Sequence, residues 1–268
     1  MTALAARSAG LVPTINNAET QVSEGFSIDK LEARSCRFRK NLGVGAKLLS
    51  GGGGQAWMLT FTYRDDAPWE ASQVRGAIDH LRKYFKRAYG WSLRYLWVIE
   101  SQQRKSGAHL GSFVPHYHVV LWVPVQVQAS ELKCDQLGYW PHGMTNAVKA
   151  VAPVKYVMKY ASKFDGATHF PKGARCYGMG GIDHCQRGIR RWINWPAFVK
   201  ARASVACDYA RKVGGGWVNR VTGEWWPSEY GLVYTTPAST AVVRVHDHGR
   251  PVQVIGPFSW MRPDLAVI

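Results

Sequence analysis

The stretch VPHYHVVLWVP, residues 114–124, sets two imidazoles, His116 and His118, one residue apart at the start of an otherwise apolar run. Its β-branched, aromatic and aliphatic residues, bracketed by Pro115 and Pro124, predict a strand. Alternation along a strand places His116, His118, Val120 and Trp122 on one face and Tyr117, Val119 and Leu121 on the other. Two same-face imidazoles, roughly 7 Å apart along the backbone, can converge on one metal ion. The competing reading is a pair of core or edge histidines held by backbone hydrogen bonds. A carboxylate stands at the end of LRYLWVIES (93–101). Pairing of residues 95–100 with 116–122 would bring Glu100 close to His116. Two imidazoles and a carboxylate leave coordination positions open on a divalent ion, where a phosphate oxygen can sit. Taken alone, Glu100 reads as a solvated strand end.

A nucleophile is available further on, in VAPVKYVMKYASKF (151–164). After Pro153 the spacing of Val154, Val157, Ala161 and Phe164 predicts a helix. Tyr156 and Tyr160 lie four residues apart, one turn above each other on one face, and Lys159 and Lys163 repeat the interval. A phenol with its ordinary pKa of about 10 is a weak nucleophile. A nearby ammonium and a metal-bound phosphate favour its phenolate and stabilise the charge that develops in displacement. A tyrosine ester also conserves the energy of the phosphodiester bond that hydrolysis would discard. The bland alternative is two core tyrosines with lysines extended along the surface.

These residues need elements to position them. AWMLTFTYR (56–64) alternates Met58, Thr60 and Thr62 with Trp57, Leu59, Phe61 and Tyr63, the pattern of a strand. A helix follows, with Val74, Ile78, Leu81 and Phe85 at helical spacing, Gly90 as its stop, and Arg75, Arg82, Lys83, Lys86 and Arg87 on its outer side. Residues 93–101 and the histidine run supply two more strands. The order β-α-β-β begins an α+β sandwich with helices on one sheet face. Before it, residues 1–54 read as a flexible basic segment closed by the Gly51–Gly54 linker, with the main domain over 55–170 and an accessory region over 171–268 packed on it.

The chain of 268 residues carries a formal charge of +16 and twelve tryptophans. That surplus suits a polyanionic partner, and the aromatic rings permit stacking on unpaired bases. No apolar run is long enough to span a membrane and no secretory signal opens the chain, so the expected location is the cytoplasm. Five cysteines at irregular spacing make no disulfide framework. Cys176, His184 and Cys185 match no zinc finger or ribbon spacing. No Gly-Lys-Ser/Thr follows the glycine run, which argues against an ATP-driven motor.

Glutamate, His-hydrophobe-His on a strand, then a tyrosine-lysine helix, in this order and in a very basic chain, resembles the HUH endonucleases. The chain looks most like the rolling-circle replication initiators of single-stranded DNA phages and plasmids. PHYHVVLW resembles their metal motif and YVMKYASK the paired-tyrosine motif of the gene A and gene II type of phage initiator. MLTFTYR is similar to their first strand motif, and YWPHGM (139–144) to the aromatic-and-glycine stretch often found between the others. In relaxases the tyrosine precedes the histidines, whereas here it follows. The resemblance covers roughly residues 56–165. It implies a central antiparallel sheet flanked by helices, of ferredoxin-like or RRM-like topology. It further implies Mg²⁺ or Mn²⁺ held by His116, His118 and Glu100. Tyr160 is then the primary nucleophile and Tyr156 the second, with Lys159 and Lys163 stabilising charge. The implied partners are single-stranded origin DNA, a host helicase and a host polymerase in a bacterial cytoplasm. Two alternatives stay open: a single-strand transposase of the same superfamily, and a non-catalytic basic DNA-binding protein.

Beyond residue 170 the pattern is weaker. RGIRRWINWPAF (187–198) reads as a basic helix that contacts DNA or packs as an accessory element. WVNRVTGEWW (217–226) predicts a hairpin around Thr222 and Gly223. A second His-x-His, His246 and His248, surrounds Asp247 ahead of Gly-Arg-Pro and reads as an exposed turn.

Overall fold

The computed structural model describes residues 25–104, 110–163, 170, 173–204 and 210–244. His246, His248 and Phe164 lie outside them. The elements run β1 (Gly25–Asp29), α1 (Lys30–Ser50), β2 (Gln55–Tyr63), α2 (Gln73–Tyr89), β3 (Arg94–Gln103) and β4 (Phe113–Val123). They continue with β5 (Gly143–Lys149), α3 (Pro153–Ser162), β6 (Tyr177–Gly180), α4 (His184–Asn194) and α5 (Ala197–Lys200). Short strands complete the order: β7 (Ala210–Val213), β8 (Gly216–Asn219), β9 (Trp225–Pro227), β10 (Tyr230–Thr235) and β11 (Ser239–Arg244).

The chain divides into two compact units. One comprises Arg34–Arg190; the other comprises Met1–Ala33 and Arg191–Ile268. In the first, an antiparallel five-stranded sheet of order β5-β2-β4-β3-β6 is flanked by helices, the expected α+β architecture. The helices cover both faces rather than one. On one face Val74, Ile78, Leu81 and Phe85 of α2 pack on Leu59, Phe61, Tyr117, Val119 and Leu121. On the other, Phe38, Leu42 and Leu49 of α1 and Val157 and Ala161 of α3 pack on Leu96, Val98, Val120 and Trp122. Each fully buried aliphatic side chain of these layers contributes roughly 1.5–3 kcal/mol.

Helix α1 corrects the reading of residues 30–50 as part of a flexible arm. Phe38, Leu42, Ala46 and Leu49 form a buried stripe, but Gly43, Gly45 and interspersed basic residues dilute its periodicity in the sequence. Gly45 is required by packing, because a Cβ there would lie 2.5 Å from Met179 Cε. The helix is capped at both ends. Asp29 Oδ1 accepts from Leu31 N at 2.7 Å and Glu32 N at 3.0 Å. At the other end the buried Arg94 guanidinium donates to Leu49 O and Gly53 O, fixing the Gly51–Gly54 turn.

In the second unit β8 and β9 pair antiparallel around Gly223 (φ 80°), forming the hairpin expected at 217–226, with β7 on the other side of β8. Trp226 is buried with Trp195, Val199 and Ala203. A separate antiparallel sheet has the order β1-β11-β10. Helix α4 covers most of the stretch expected to be a basic helix. No helix among the described residues is long and apolar enough to cross a membrane.

Candidate active site

Register places the chemistry. Glu100 of β3 is the cross-strand partner of His116, as the sequence predicted, and His118 lies between Val98 of β3 and Thr60 of β2. All face the layer that holds α3. Glu100, His116 and His118 each offer a ligand atom, and these atoms lie within 4.8 Å of one another. Among the described residues this is the group of His, Cys, Asp and Glu able to hold a metal ion; Cys176, His184 and Cys185 form none.

The sheet and α3 fix the cluster through hydrogen bonds. His118 Nε2 lies 2.9 Å from Glu100 Oε2, and its Nδ1 lies 3.1 Å from the Tyr156 hydroxyl. Tyr160 donates to the Tyr156 oxygen at 3.3 Å, and Lys163 Nζ donates to Glu100 Oε1 at 2.5 Å. These partners are consistent with a proton on His118 Nε2 donated to the carboxylate and a Tyr156 proton donated to Nδ1. The Tyr160 ring stacks on His118, centroids 3.6 Å apart. Lys163 and Lys159 stand 5.2 and 5.8 Å from the Tyr160 ring centre. Lys163 thus reaches the cluster directly, whereas Lys159 approaches only the ring.

Burial holds both imidazoles neutral. His116 is pushed down to about 4, first by desolvation and then by His118. Desolvation also lowers His118, against the opposing pull of Glu100, so its contact with Glu100 is a hydrogen bond from a neutral ring rather than an ion pair. Burial alone would raise the Glu100 carboxyl, but hydrogen bonds from Lys163 and His118 outweigh it and hold the group below the usual carboxylate range. Desolvation, then the hydrogen bond with Tyr156, raises the Tyr160 phenol. Two neutral imidazoles and one ionised carboxylate form a donor set that fits a divalent cation. The fit has a second mark: His116 Nδ1 is buried and has no hydrogen-bond partner among the described residues.

One member of the site was not singled out in the sequence. Thr62 Oγ1 lies 3.2 Å from His116 Nε2, the placement of an outer partner that orients a ligating imidazole. The signal was present in the Thr60-Thr62 alternation on the histidine face. YWPHGM holds Thr62 in place. Trp140 is fully buried, stacks on Phe61 and donates from Nε1 to Thr62 O at 3.2 Å. Gly143 lies so close to that carbonyl that an added Cβ would sit 1.9 Å from it.

The fold and cluster define an α+β protein with a sheet-borne candidate metal centre beneath a tyrosine-bearing helix. Residues 56–165, from near the start of β2 to just past α3, match the family model of replication-associated proteins of the ORF2 and gene II protein type, which supports a replication initiator of the Rep type. No curated protein and no solved structure gives a match.

Proposed function

We propose that this protein initiates rolling-circle DNA replication by nicking and rejoining one DNA strand through a tyrosine ester. The observation that carries the proposal is the assembly of Glu100, His116 and His118 within 4.8 Å against the two tyrosines of α3. The family match over the same residues supports it. His116, His118 and Glu100 would hold Mg²⁺ or Mn²⁺, which supplies Lewis-acid polarisation of the scissile phosphate.

The chain's own residues do the rest. The Tyr160 oxygen bonds to phosphorus as the bond to the 3′ oxygen breaks. The phenol loses a proton, the leaving oxygen gains one, and no water is consumed. The products are a 5′-phosphotyrosine and a free 3′-hydroxyl that primes a host polymerase. Because burial keeps Tyr160 protonated, the negative charge of displacement must be met locally; Lys163 and, at longer range, Lys159 supply positive charge. Tyr156, hydrogen-bonded to His118 Nδ1, serves as the second nucleophile. It cleaves the regenerated junction, and the released 3′-hydroxyl attacks the first phosphotyrosine to close the circle. Strand separation falls to a host helicase, in the cytoplasm of a bacterial cell.

The test is incubation with labelled single-stranded origin DNA, with Mn²⁺ or with EDTA, followed by denaturing electrophoresis. A metal-dependent protein–DNA band, absent in His116→Ala/His118→Ala and in Tyr160→Phe, is expected. Tight binding of origin DNA that never becomes covalent would overturn the proposal in favour of a non-catalytic DNA-binding protein.

A further inference from the structure

Helix α2 buries Val74, Ala77, Ile78, Leu81 and Phe85 on the sheet face opposite the histidine cluster. Its remaining surface carries five cations, Arg75, Arg82, Lys83, Lys86 and Arg87, against one carboxylate, Asp79. Asp79 is already engaged by Arg82 at 2.8 Å and Arg75 at 3.7 Å. Lys83, Lys86 and Arg87 are exposed. Attraction to the C-terminal end of the helix accounts in part for Lys86 and Arg87 in its last turn, but not for Lys83. The same cations line a cleft of about 810 Å³, closed on its other side by Trp91, Ser92 and Gly181.

We infer that this cleft and the α2 face are a second DNA-binding surface, which takes the phosphate backbone of duplex DNA independently of sequence. Lys83 and Arg87 are one helical turn apart, as are Arg82 and Lys86, so two short rows of charge follow a rigid helix. A groove of one sign of charge concentrates a polyanion and binds it by counterion release. The cleft offers little with which to read bases. Its aromatic residue, Trp91, spends its Nε1 proton on Trp122 O at 3.0 Å, and the Arg94 guanidinium lies 5.8 Å from its ring centre. Phosphate contacts without base contacts give position rather than sequence specificity. They suit a duplex, whose bases are already paired, better than a single strand, whose bases would go unpartnered. The inference draws on the proposed replication role only for the identity of the polyanion. Duplex next to the origin would dock on α2, while the unpaired strand reaches the tyrosines on the other face.

The test is equilibrium binding of the full chain to a fluorescent duplex of about two helical turns and arbitrary sequence across a salt series, with the matching single strand in parallel. Wild type is compared with Lys83→Gln/Lys86→Gln/Arg87→Gln and with a charge-matched control on α1, Arg37→Gln/Lys40→Gln/Lys47→Gln. The α2 variant is expected to lose about tenfold or more in duplex affinity, and its salt slope to fall by about 2–3, close to 0.9 per phosphate contact removed. Single-strand affinity and adduct formation on a short origin oligonucleotide should be unchanged. Equal duplex affinity and slope in wild type and variant would overturn the inference. So would an equal loss in the α1 control, which would mean a mere effect of net charge, or a parallel loss on single strands. The readout is binding, so it stands or falls separately from whether a covalent adduct ever forms.

Discussion

The Tyr160 ring lies against the His118 imidazole with centroids 3.6 Å apart and planes inclined by 19°. The nucleophile proposed for the reaction is therefore also a packing partner of a proposed metal ligand, and the two roles separate by substitution. Tyr160→Phe keeps the stacked ring and removes only the hydroxyl. Its covalent adduct is expected to fall to background while thermal stability and Mn²⁺ affinity stay near wild type. Tyr160→Ala should lose the stack as well, at about 1 kcal/mol in stability. Tyr156→Phe deprives His118 Nδ1 of its partner, at about 1 kcal/mol. It should still form the first adduct but fail to join a second strand. Denaturing gels, thermal melts and a two-oligonucleotide joining assay read the three variants. An adduct in Tyr160→Phe but none in Tyr156→Phe would reverse the order of the nucleophiles.

Thr62 tests whether the cluster binds metal in this geometry. Thr62→Val preserves shape and β-branching but removes the oxygen 3.2 Å from His116 Nε2. Partners of this kind are worth about 10–100-fold in metal affinity. Mn²⁺ titration by calorimetry should show a loss of that order with the fold intact, and Thr62→Ser should restore most of it. Unchanged affinity in Thr62→Val would mean that the threonine does not orient His116.

The neutral state of His116 has a consequence for acid stability. Its folded pKa of about 4 lies below the ordinary histidine value of 6.5. Above pH 6.5 the ring is neutral whether the chain is folded or not, so the group contributes no pH dependence there. As pH falls from 6.5 to about 4 the unfolded chain takes up a proton that the folded chain refuses, and stability declines. Below about 4 both states are protonated and the decline levels off. The full difference is up to about 3 kcal/mol at about 1.36 kcal/mol per pH unit. Urea unfolding in EDTA at about pH 7, 5.5 and 4.5 should show a shallower pH dependence in His116→Asn than in wild type. Parallel profiles would refute the assignment.

Much of this arrangement was legible from residue spacing. The alternation of 56–64 and 93–101 and the helical period from Val74 to Phe85 give β2, β3 and α2, and pairing of adjacent strands across one connection gives the Glu100–His116 register. What was not legible depends on contacts distant in sequence. The stripe of α1 is interrupted by two glycines, one of which exists to admit Met179 from the far strand β6. That strand is the tetrapeptide YGMG and has no alternation to read. Its Gly178 and Gly180 leave room for the rings of Trp97 and Tyr95. Thr62 looked like one more strand threonine until its neighbour across the sheet was known.

Gly143 makes the same point in a form that can be measured. In YWPHGM it looks like an ordinary turn glycine, yet it is the first residue of β5 and pairs with Tyr63. A Cβ there would lie 1.9 Å from Thr62 O and 2.8 Å from Arg64 N, and backbone atoms cannot swing aside as a side chain can. Gly143→Ala must push β5 away from β2, at a cost on the order of 1–3 kcal/mol. The displaced carbonyl belongs to the residue that contacts His116, so metal affinity should fall along with stability. Gly138→Ala is the comparison. Gly138 has a φ of 73° but nothing within 4 Å of an added Cβ, so it should cost about 1–2 kcal/mol of backbone strain and leave Mn²⁺ binding unchanged. Urea unfolding and Mn²⁺ titration of the two variants separate the effects. If Gly143→Ala loses stability but keeps full Mn²⁺ affinity, the close approach at Gly143 serves the sheet alone and Thr62 does not transmit it to the histidines.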